Sequence, residues 1–331
     1  MSLPPFLQPR LPKNSLVSDY LNGIFHHKHP LGPSHAQWWP AKLGQPETVI
    51  LFIPGNPGLL DFYTPFLTAI HDQDTTSKLA ILSHSHIGHT PGVESGPPAR
   101  SPEAQHGLSV QIEGSLETFD AICSAFGPNT KVVIVGHSVG AWLSLQVLKE
   151  RPLAVSAVFL LFPTISHIGN TPNGRRISWL FSPRMRLVIS WLSYVTRVFP
   201  ATFLSLVYNG WPLSQILVLQ TLLHSPPSIR AALYMAHDEM ETIRDLDVPL
   251  LDAHRQKLSF YFAEQDDWVG EQKDEILRSL KPASGAVRIV HGHPDIPHAF
   301  CINHGQLLAQ QCHQWLSDSL KEFTEQDTSN S

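Results

Sequence analysis

Lys131-Val132-Val133-Ile134-Val135-Gly136-His137-Ser138-Val139-Gly140 is the stretch that decides the fold. Four β-branched residues follow Lys131 and run directly into Gly-His-Ser-Val-Gly, and Ala141 to Glu150 continue with helix-compatible residues. Strand, sharp turn and helix in that order make a nucleophile elbow with Ser138 at its tip. Positions 136 and 140 call for glycine because side chains in so tight a turn would meet neighbouring backbone. The same tightness strains the serine and pushes its hydroxyl clear of the sheet.

Outward from the elbow, apolar runs of buried-strand length recur: Thr48 to Ile53, Leu79 to Leu82, Val155 to Leu161, Leu258 to Ala263 and Val287 to Val290. Helical stretches lie between them, at Asp61 to Asp72, Ser109 to Phe126, Glu271 to Leu280 and, after the last strand, Cys301 to Phe323. Alternation of this kind predicts an α/β fold whose mostly parallel sheet carries helices on both faces. The expected division is an irregular lead-in over 1–46 with an early edge strand, and a core in two parts, 47–162 and 238–323. A helical insertion over 163–237 separates the two parts, and a polar tail, 324–331, follows. A Pro/Gly/Ser-rich loop is expected over 90–107.

Composition narrows the function. A net charge of −5 over 331 residues argues against nucleic acid as a partner. Cys123, Cys301 and Cys312 cannot all pair and fit no zinc spacing, so reduced thiols in a cytosol-facing protein are expected. The last two, eleven residues apart, are expected on one face of the final helix, in the core. Met1 to Lys13 is proline-rich without an apolar core, unlike a secretory leader. Charge is distributed unevenly: seven arginines and no acidic residue fall between Arg151 and His237. Within that segment Val198 to Ile229 carries no charge at all, and Asn209-Gly210-Trp211-Pro212 interrupts it. Each arm is too short to cross a bilayer of about 30 Å as a helix. Arginines interleaved with Trp and Leu suit an element at a phospholipid interface, or a lid whose apolar face covers the site. The two readings are compatible.

A serine hydroxyl needs a base, an orienting carboxylate and donors for the oxyanion. On an elbow of this type the acid follows a later strand and the base follows the last one. Asp266 lies just past the Leu258 to Ala263 run and is favoured over Asp267, its neighbour in the same turn. Four histidines cluster just after the last strand: His291, His293, His298 and His304. His298, just before the final helix, is placed to reach back to Ser138, while His291 and His293 stay open as loop histidines. The oxyanion donors are expected to be the backbone N–H groups of Val139 and Asn56, since Pro54 and Pro57 have no N–H to give. His84, His86 and His89 lack a nearby acidic or Cys co-ligand in sequence and are expected to structure their loop. No metal or cofactor is required by this chemistry.

Several of these pieces recur together in a known family. Ile53-Pro54-Gly55-Asn56-Pro57-Gly58 with Phe62-Tyr63, the Gly-His-Ser-Val-Gly elbow, Tyr234 to Met240, Asp266 with Trp268, and Ile296-Pro297-His298-Ala299-Phe300 stand in the same order. Over residues 47 to 320 the chain resembles the lipid droplet-associated hydrolases. The resemblance implies an α/β-hydrolase fold with a helical lid and a Ser138–Asp266–His298 triad. It also implies residence on lipid droplets and the endoplasmic reticulum, facing the cytosol. Gly270 departs from the pattern, standing where relatives usually have proline. The implied function is hydrolysis of a hydrophobic ester, a sterol ester or acylglycerol, at a phospholipid monolayer or membrane surface. A surface protein with little turnover, shaping droplet size, and an acyltransferase using the same triad are the alternatives.

Overall fold

Buried strands that must cover both faces of a sheet place alternate residues in two cores. The strand carrying Thr48–Ile53 does so: Val49, Leu51 and Ile53 enter one core and Ile50 and Phe52 the other. A computed structural model describes residues 2–10, 19–93, 105–280 and 287–329. Among these described residues nine strands form one sheet: β1 (Leu7–Pro9), β2 (Leu21–Phe25), β3 (Ser34–Trp39), β4 (Thr48–Ile53), β5 (Leu79–His84), β6 (Lys131–His137), β7 (Val155–Leu161), β8 (Leu258–Phe262) and β9 (Arg288–His291). Their spatial order is β1-β2-β3-β5-β4-β6-β7-β8-β9. From β5 to β9 all neighbours are parallel, and β1, β2 and β3 add antiparallel strands at one edge.

That edge corrects the expectation for residues 1–46. Instead of an irregular lead-in with one edge strand, the segment supplies three paired strands. Its apolar residues are few and scattered among Pro and His, which masks the alternation in sequence. Ser34–Trp39 is buried at every position even though Ser34, His35 and Gln37 are polar. These polar groups are satisfied across the sheet: Ser34 Oγ lies 2.9 Å from His84 Nε2, and His35 Nε2 lies 2.8 Å from Asn22 Oδ1.

One core lies under α2 (Leu108–Phe126), α3 (Val139–Glu150) and α10 (Gln272–Leu280). The opposite core lies under α1 (Thr64–Asp72) and α11 (Gly305–Ser329). The final helix therefore starts four residues later than expected. It also runs through 324–329, where a separate polar tail was expected. Cys301 precedes this helix, so it does not share a helix face with Cys312, which is buried under the sheet. Of the loop expected over 90–107, residues 94–104 lie outside the described residues.

Between β7 and β8 the chain leaves the sheet and builds a cap of helices: α4 (Pro172–Ile177), α5 (Pro183–Thr196), α6 (Ala201–Val207), α7 (Leu213–Leu223) and α8 (Pro226–Thr242), with α9 (Val248–Ala253) leading back. Helix α8 runs through the 237/238 boundary drawn from sequence. Prolines at the first turns of α4, α5, α8 and α9 start these helices where a missing N–H costs nothing.

The elbow joins β6 to α3 with almost no clearance. A Cβ at Gly136 would lie 2.4 Å from the Gly140 carbonyl oxygen, and one at Gly140 would lie 2.2 Å from that of Ile53. Both partners are backbone, so neither can yield. Gly140→Ala is expected to destabilise the protein by about 3 kcal/mol, measured as a lower urea midpoint at unchanged slope.

Candidate active site

Ser138 occupies the turn between β6 and α3 with φ +55° and ψ −123°, a conformation rare for a residue with a side chain. Its own N–H is tied to the Leu161 carbonyl at 3.0 Å, which holds the strained residue against the end of β7. The hydroxyl lies 3.0 Å from His298 Nε2. On the other side of that ring, Nδ1 is 2.8 and 3.0 Å from the two Asp266 carboxylate oxygens. A carboxylate only accepts, so Nδ1 carries the proton and Nε2 offers its lone pair to the serine. Asp266 is held in turn by the N–H groups of Trp268 and Val269, both donating to Oδ1. Its side chain is 5% exposed.

The structure thus brings together the three residues singled out in sequence, which lie on three separate loops. Asp267, the competitor for the acid position, points into solvent. His291 ends β9 and is exposed, and exposed His293 faces Asp295 at 3.4 Å. Gly270 closes the acid's turn with φ +55°, which a proline ring locked near −65° cannot adopt. The turn after Trp268 therefore has a geometry of its own.

Val139 is the first residue of α3, where a helix leaves its N–H groups without intrahelical partners. Asn56 lies past the end of β4, in the loop that the elbow's Gly140 abuts. Ser138, His298, Asn56 and Trp268 open on a cavity of about 440 Å³ whose other walls are mostly apolar, among them Phe181, Leu222 and Ile302. Cys301 also lines it, but burial pushes its thiol up to about 12, so at neutral pH it is no rival nucleophile.

Two buried groups escaped the sequence reading. His137, beside the nucleophile, has Nε2 at 3.0 Å from the His298 carbonyl oxygen and Nδ1 at 2.8 Å from Tyr63 Oη. The carbonyl only accepts, so Nε2 carries the hydrogen and Nδ1 accepts from the tyrosine. Complete burial, aided by the neighbouring His298, holds His137 neutral by lowering its pKa well below the usual range. Tyr63 Oη also accepts the Gly55 N–H at 3.2 Å, and one chain of hydrogen bonds thereby links the Asn56 loop, the elbow and the base. The second group is Glu239 of α8, whose Oε1 accepts from Asn56 Nδ2 at 2.9 Å inside the cavity wall. Burial raises its carboxyl from 4.5 to about 8. Either residue looks unremarkable in sequence; only the pairing of lid helix with loop gives Glu239 its setting. Of the three histidines expected to structure their loop, His89 Nδ1 donates to the Pro57 carbonyl at 2.8 Å and ties its loop to the one after β4, while His84 ends β5 and meets Ser34 of β3 within the sheet.

A mostly parallel sheet of this order with a Ser–His–Asp line at its carboxyl edge and helices inserted after β7 defines an α/β-hydrolase. Solved structures share the fold at low identity. 2-Hydroxy-6-oxo-6-phenylhexa-2,4-dienoate hydrolase from a Rhodococcus strain matches with a TM-score of 0.61 at 16% identity, covering 91% of this chain and 99% of that one. The deformylase of N-formylmaleamic acid from Pseudomonas putida gives 0.59 at 17%, covering 88% and 99%. The family described as lipid-droplet associated hydrolase matches residues 46–301. The lipid droplet-associated hydrolase of Homo sapiens is 30% identical over 303 residues, covering 84% of this chain and 86% of its own. That of Drosophila melanogaster is 27% identical over 303 residues, covering 84% and 92%. The chain belongs to the lipid droplet-associated hydrolase family.

Glu239 also makes a measurable imprint on stability. In the unfolded chain it loses its proton near pH 4.5, whereas in the folded protein it keeps it to about pH 8. Between those values the unfolded state binds fewer protons, so this residue makes stability fall as pH rises. Glu239→Gln removes the titration. Its melting temperature relative to wild type is expected to rise steadily from pH 5 to pH 8 and then level off; a difference independent of pH would contradict the buried neutral acid.

Proposed function

We propose that the protein is a serine hydrolase that cleaves a hydrophobic carboxylic ester, a sterol ester or acylglycerol, at the lipid-droplet surface. The observation that carries this reading is the hydrogen-bonded line Asp266–His298–Ser138 opening on an apolar cavity. In this reading His298 Nε2 takes the Ser138 proton as Oγ attacks the ester carbonyl carbon. The backbone N–H groups of Val139 and Asn56 hold the oxyanion, and Asp266 stabilises the imidazolium and fixes its tautomer. Collapse of the tetrahedral intermediate expels the alcohol, which receives the proton from His298. A water molecule then repeats the sequence on the acyl-enzyme, releasing the acid and restoring Ser138.

The lid supports the surface part of the proposal. Helices α5, α6 and α7 expose Leu187, Trp191, Val195, Leu206 and Leu213, with Trp191 68% and Leu206 80% exposed. Arg184 and Arg197 sit among them. Among the described residues no helix is long and apolar enough to cross a membrane. A cluster of aromatic and aliphatic side chains on short helices, flanked by arginines, fits the headgroup boundary of a phospholipid monolayer. The relatives' name points to the droplet as that monolayer, and the cytosolic face of the endoplasmic reticulum would present the same headgroups.

A fluorophosphonate probe is expected to label the wild type and to fail on Ser138→Ala and His298→Ala. Each of those variants should lose on the order of 10⁶-fold in ester turnover, and Asp266→Asn about 10⁴-fold. Turnover surviving in Ser138→Ala would sink the mechanism. Surface binding has a separate readout. Trp191→Glu with Leu206→Glu should keep the wild-type melting temperature, since both side chains already face solvent. The double variant should float about tenfold less with phosphatidylcholine-coated triolein emulsions; undiminished flotation would move the docking face elsewhere.

A further inference from the structure

Glu239 is the acidic residue of the cavity wall that the triad leaves unused. It stands on lid helix α8, yet its hydrogen-bond partner belongs to the loop after β4. Asn56 Nδ2 donates both to Glu239 Oε1 at 2.9 Å and to the Ala232 carbonyl at 2.9 Å. Both amide hydrogens of Asn56 are therefore committed to one helix of the lid and neither to its own loop. The backbone N–H of this same residue is the second oxyanion donor in the reading above. On the opposite side the loop is anchored through Gly55 N–H to Tyr63 and His137. Pro54 and Pro57 flank the segment and offer no N–H with which to anchor it. The loop is thus held at Gly55 by the core, at the Pro57 carbonyl by His89, and at the Asn56 side chain by the lid.

We propose that Glu239 is a positioning residue for ester hydrolysis, holding the Asn56 backbone N–H in register with the oxyanion through the Asn56 side chain. The proposal rests on the acyl-enzyme reading of Ser138. It gives the acid a reason to be buried and uncharged: an ionised carboxylate beside the Asn56 loop would oppose the charge developing on the substrate oxygen, whereas the neutral acid accepts the amide hydrogen without that cost. It also makes the oxyanion site complete only while α8 is seated, because the clamp is carried by the lid.

The test uses the full chain and steady-state hydrolysis of p-nitrophenyl butyrate. Loss of one oxyanion donor typically costs 10²–10³ in turnover, and a donor shifted out of register costs part of that. Glu239→Ala is expected to lower kcat by about 10- to 100-fold with KM within about threefold of wild type. Inhibition by an alkyl trifluoromethyl ketone, which forms a tetrahedral adduct at the serine, should weaken by the same factor as kcat/KM. Glu239→Gln keeps an acceptor for Asn56 and should stay within about threefold of wild type. Asn56→Ala removes that bond and the one to the Ala232 carbonyl from the loop side, and should lose at least as much as Glu239→Ala. The double variant should be no slower than Asn56→Ala, since both changes break one unit.

A folded Glu239→Ala with wild-type kcat, or a loss confined to KM, overturns the proposal. Multiplying losses in the double variant overturn it as well. If Glu239→Ala does not fold, Asn56→Ala alone and combined with Glu239→Gln carries the same test, the second change adding nothing if the proposal holds and a further loss if it fails. A wild type that neither hydrolyses the ester nor labels at Ser138 refutes the serine-hydrolase reading itself. A labelled, active wild type with an unaffected Glu239→Ala refutes only the role of Glu239.

Discussion

The molecule depends on how closely the first turn of α3 can approach the end of β4. Gly140 stands where any side chain would strike the Ile53 carbonyl, and Gly136 where one would strike Gly140 itself. This contact is backbone on backbone, so it fixes distances with little tolerance. It sets the N-terminus of α3, with Val139 as its first residue, beside the loop after β4 that carries Asn56. The positive φ of Ser138 is a consequence: the chain must reverse within the turn, and the strain is borne by burying the flanking strand and helix in the core.

Loops placed by a scaffold still need to be held in register with one another, and here burial of polar groups does it. His137 is sealed between Tyr63, Phe162 and Phe300, where a charged imidazole would be costly. Kept neutral, it has one hydrogen and one lone pair, and the structure uses both: the hydrogen on the His298 carbonyl, the lone pair on Tyr63. Replacing a neutral donor–acceptor group of this shape would leave at least one buried partner unsatisfied. His137, next to Ser138, therefore fixes where His298 stands through the His298 carbonyl.

What was legible in the sequence follows from the same physics. Strands β4 to β8 are continuous apolar runs because both their faces are covered, and the elbow's glycines are demanded by a backbone collision that leaves no alternative residue. Chain order, with the family resemblance choosing among the clustered histidines, singled out Asp266 and His298 as candidates, and the structure brings both into one hydrogen-bonded line with Ser138. The N-terminal strands were hidden because β1 and β2 bury only Leu7, Gly23 and Phe25, and β3 buries Ser34, His35 and Gln37, whose side chains are satisfied by His84, Asn22 and Asp61, which breaks the hydrophobic alternation. The start of the last helix was misplaced because Cys301 and Ile302 are apolar for a different reason: they line the cavity. Glu239 was invisible because its significance lies in a partner 183 positions away.

The charge asymmetry acquires a structural meaning in the lid. Among the described residues none of the lid arginines from Arg175 to Arg230 meets a carboxylate. Arg186, almost fully buried, lies with its guanidinium 4.0 Å from the centre of the Tyr234 ring, and Arg197 donates to the His224 carbonyl while stacking on Tyr194. Aromatic faces and helix-end carbonyls hold these cations more loosely than carboxylates would, and without the directional lock of a bidentate pair. The lid is thus joined to the body by apolar packing and by hydrogen bonds such as Asn56–Glu239, Leu108 N–H to Asp238, and Gln215 to the carbonyls of Phe62 and Cys301, rather than through its arginines. Contacts of that kind weaken when an apolar phase competes for the same side chains, whereas ion pairs would tighten as water is excluded. A lid whose arginines meet no carboxylate is therefore suited to exchange its contacts with the body for contacts with lipid.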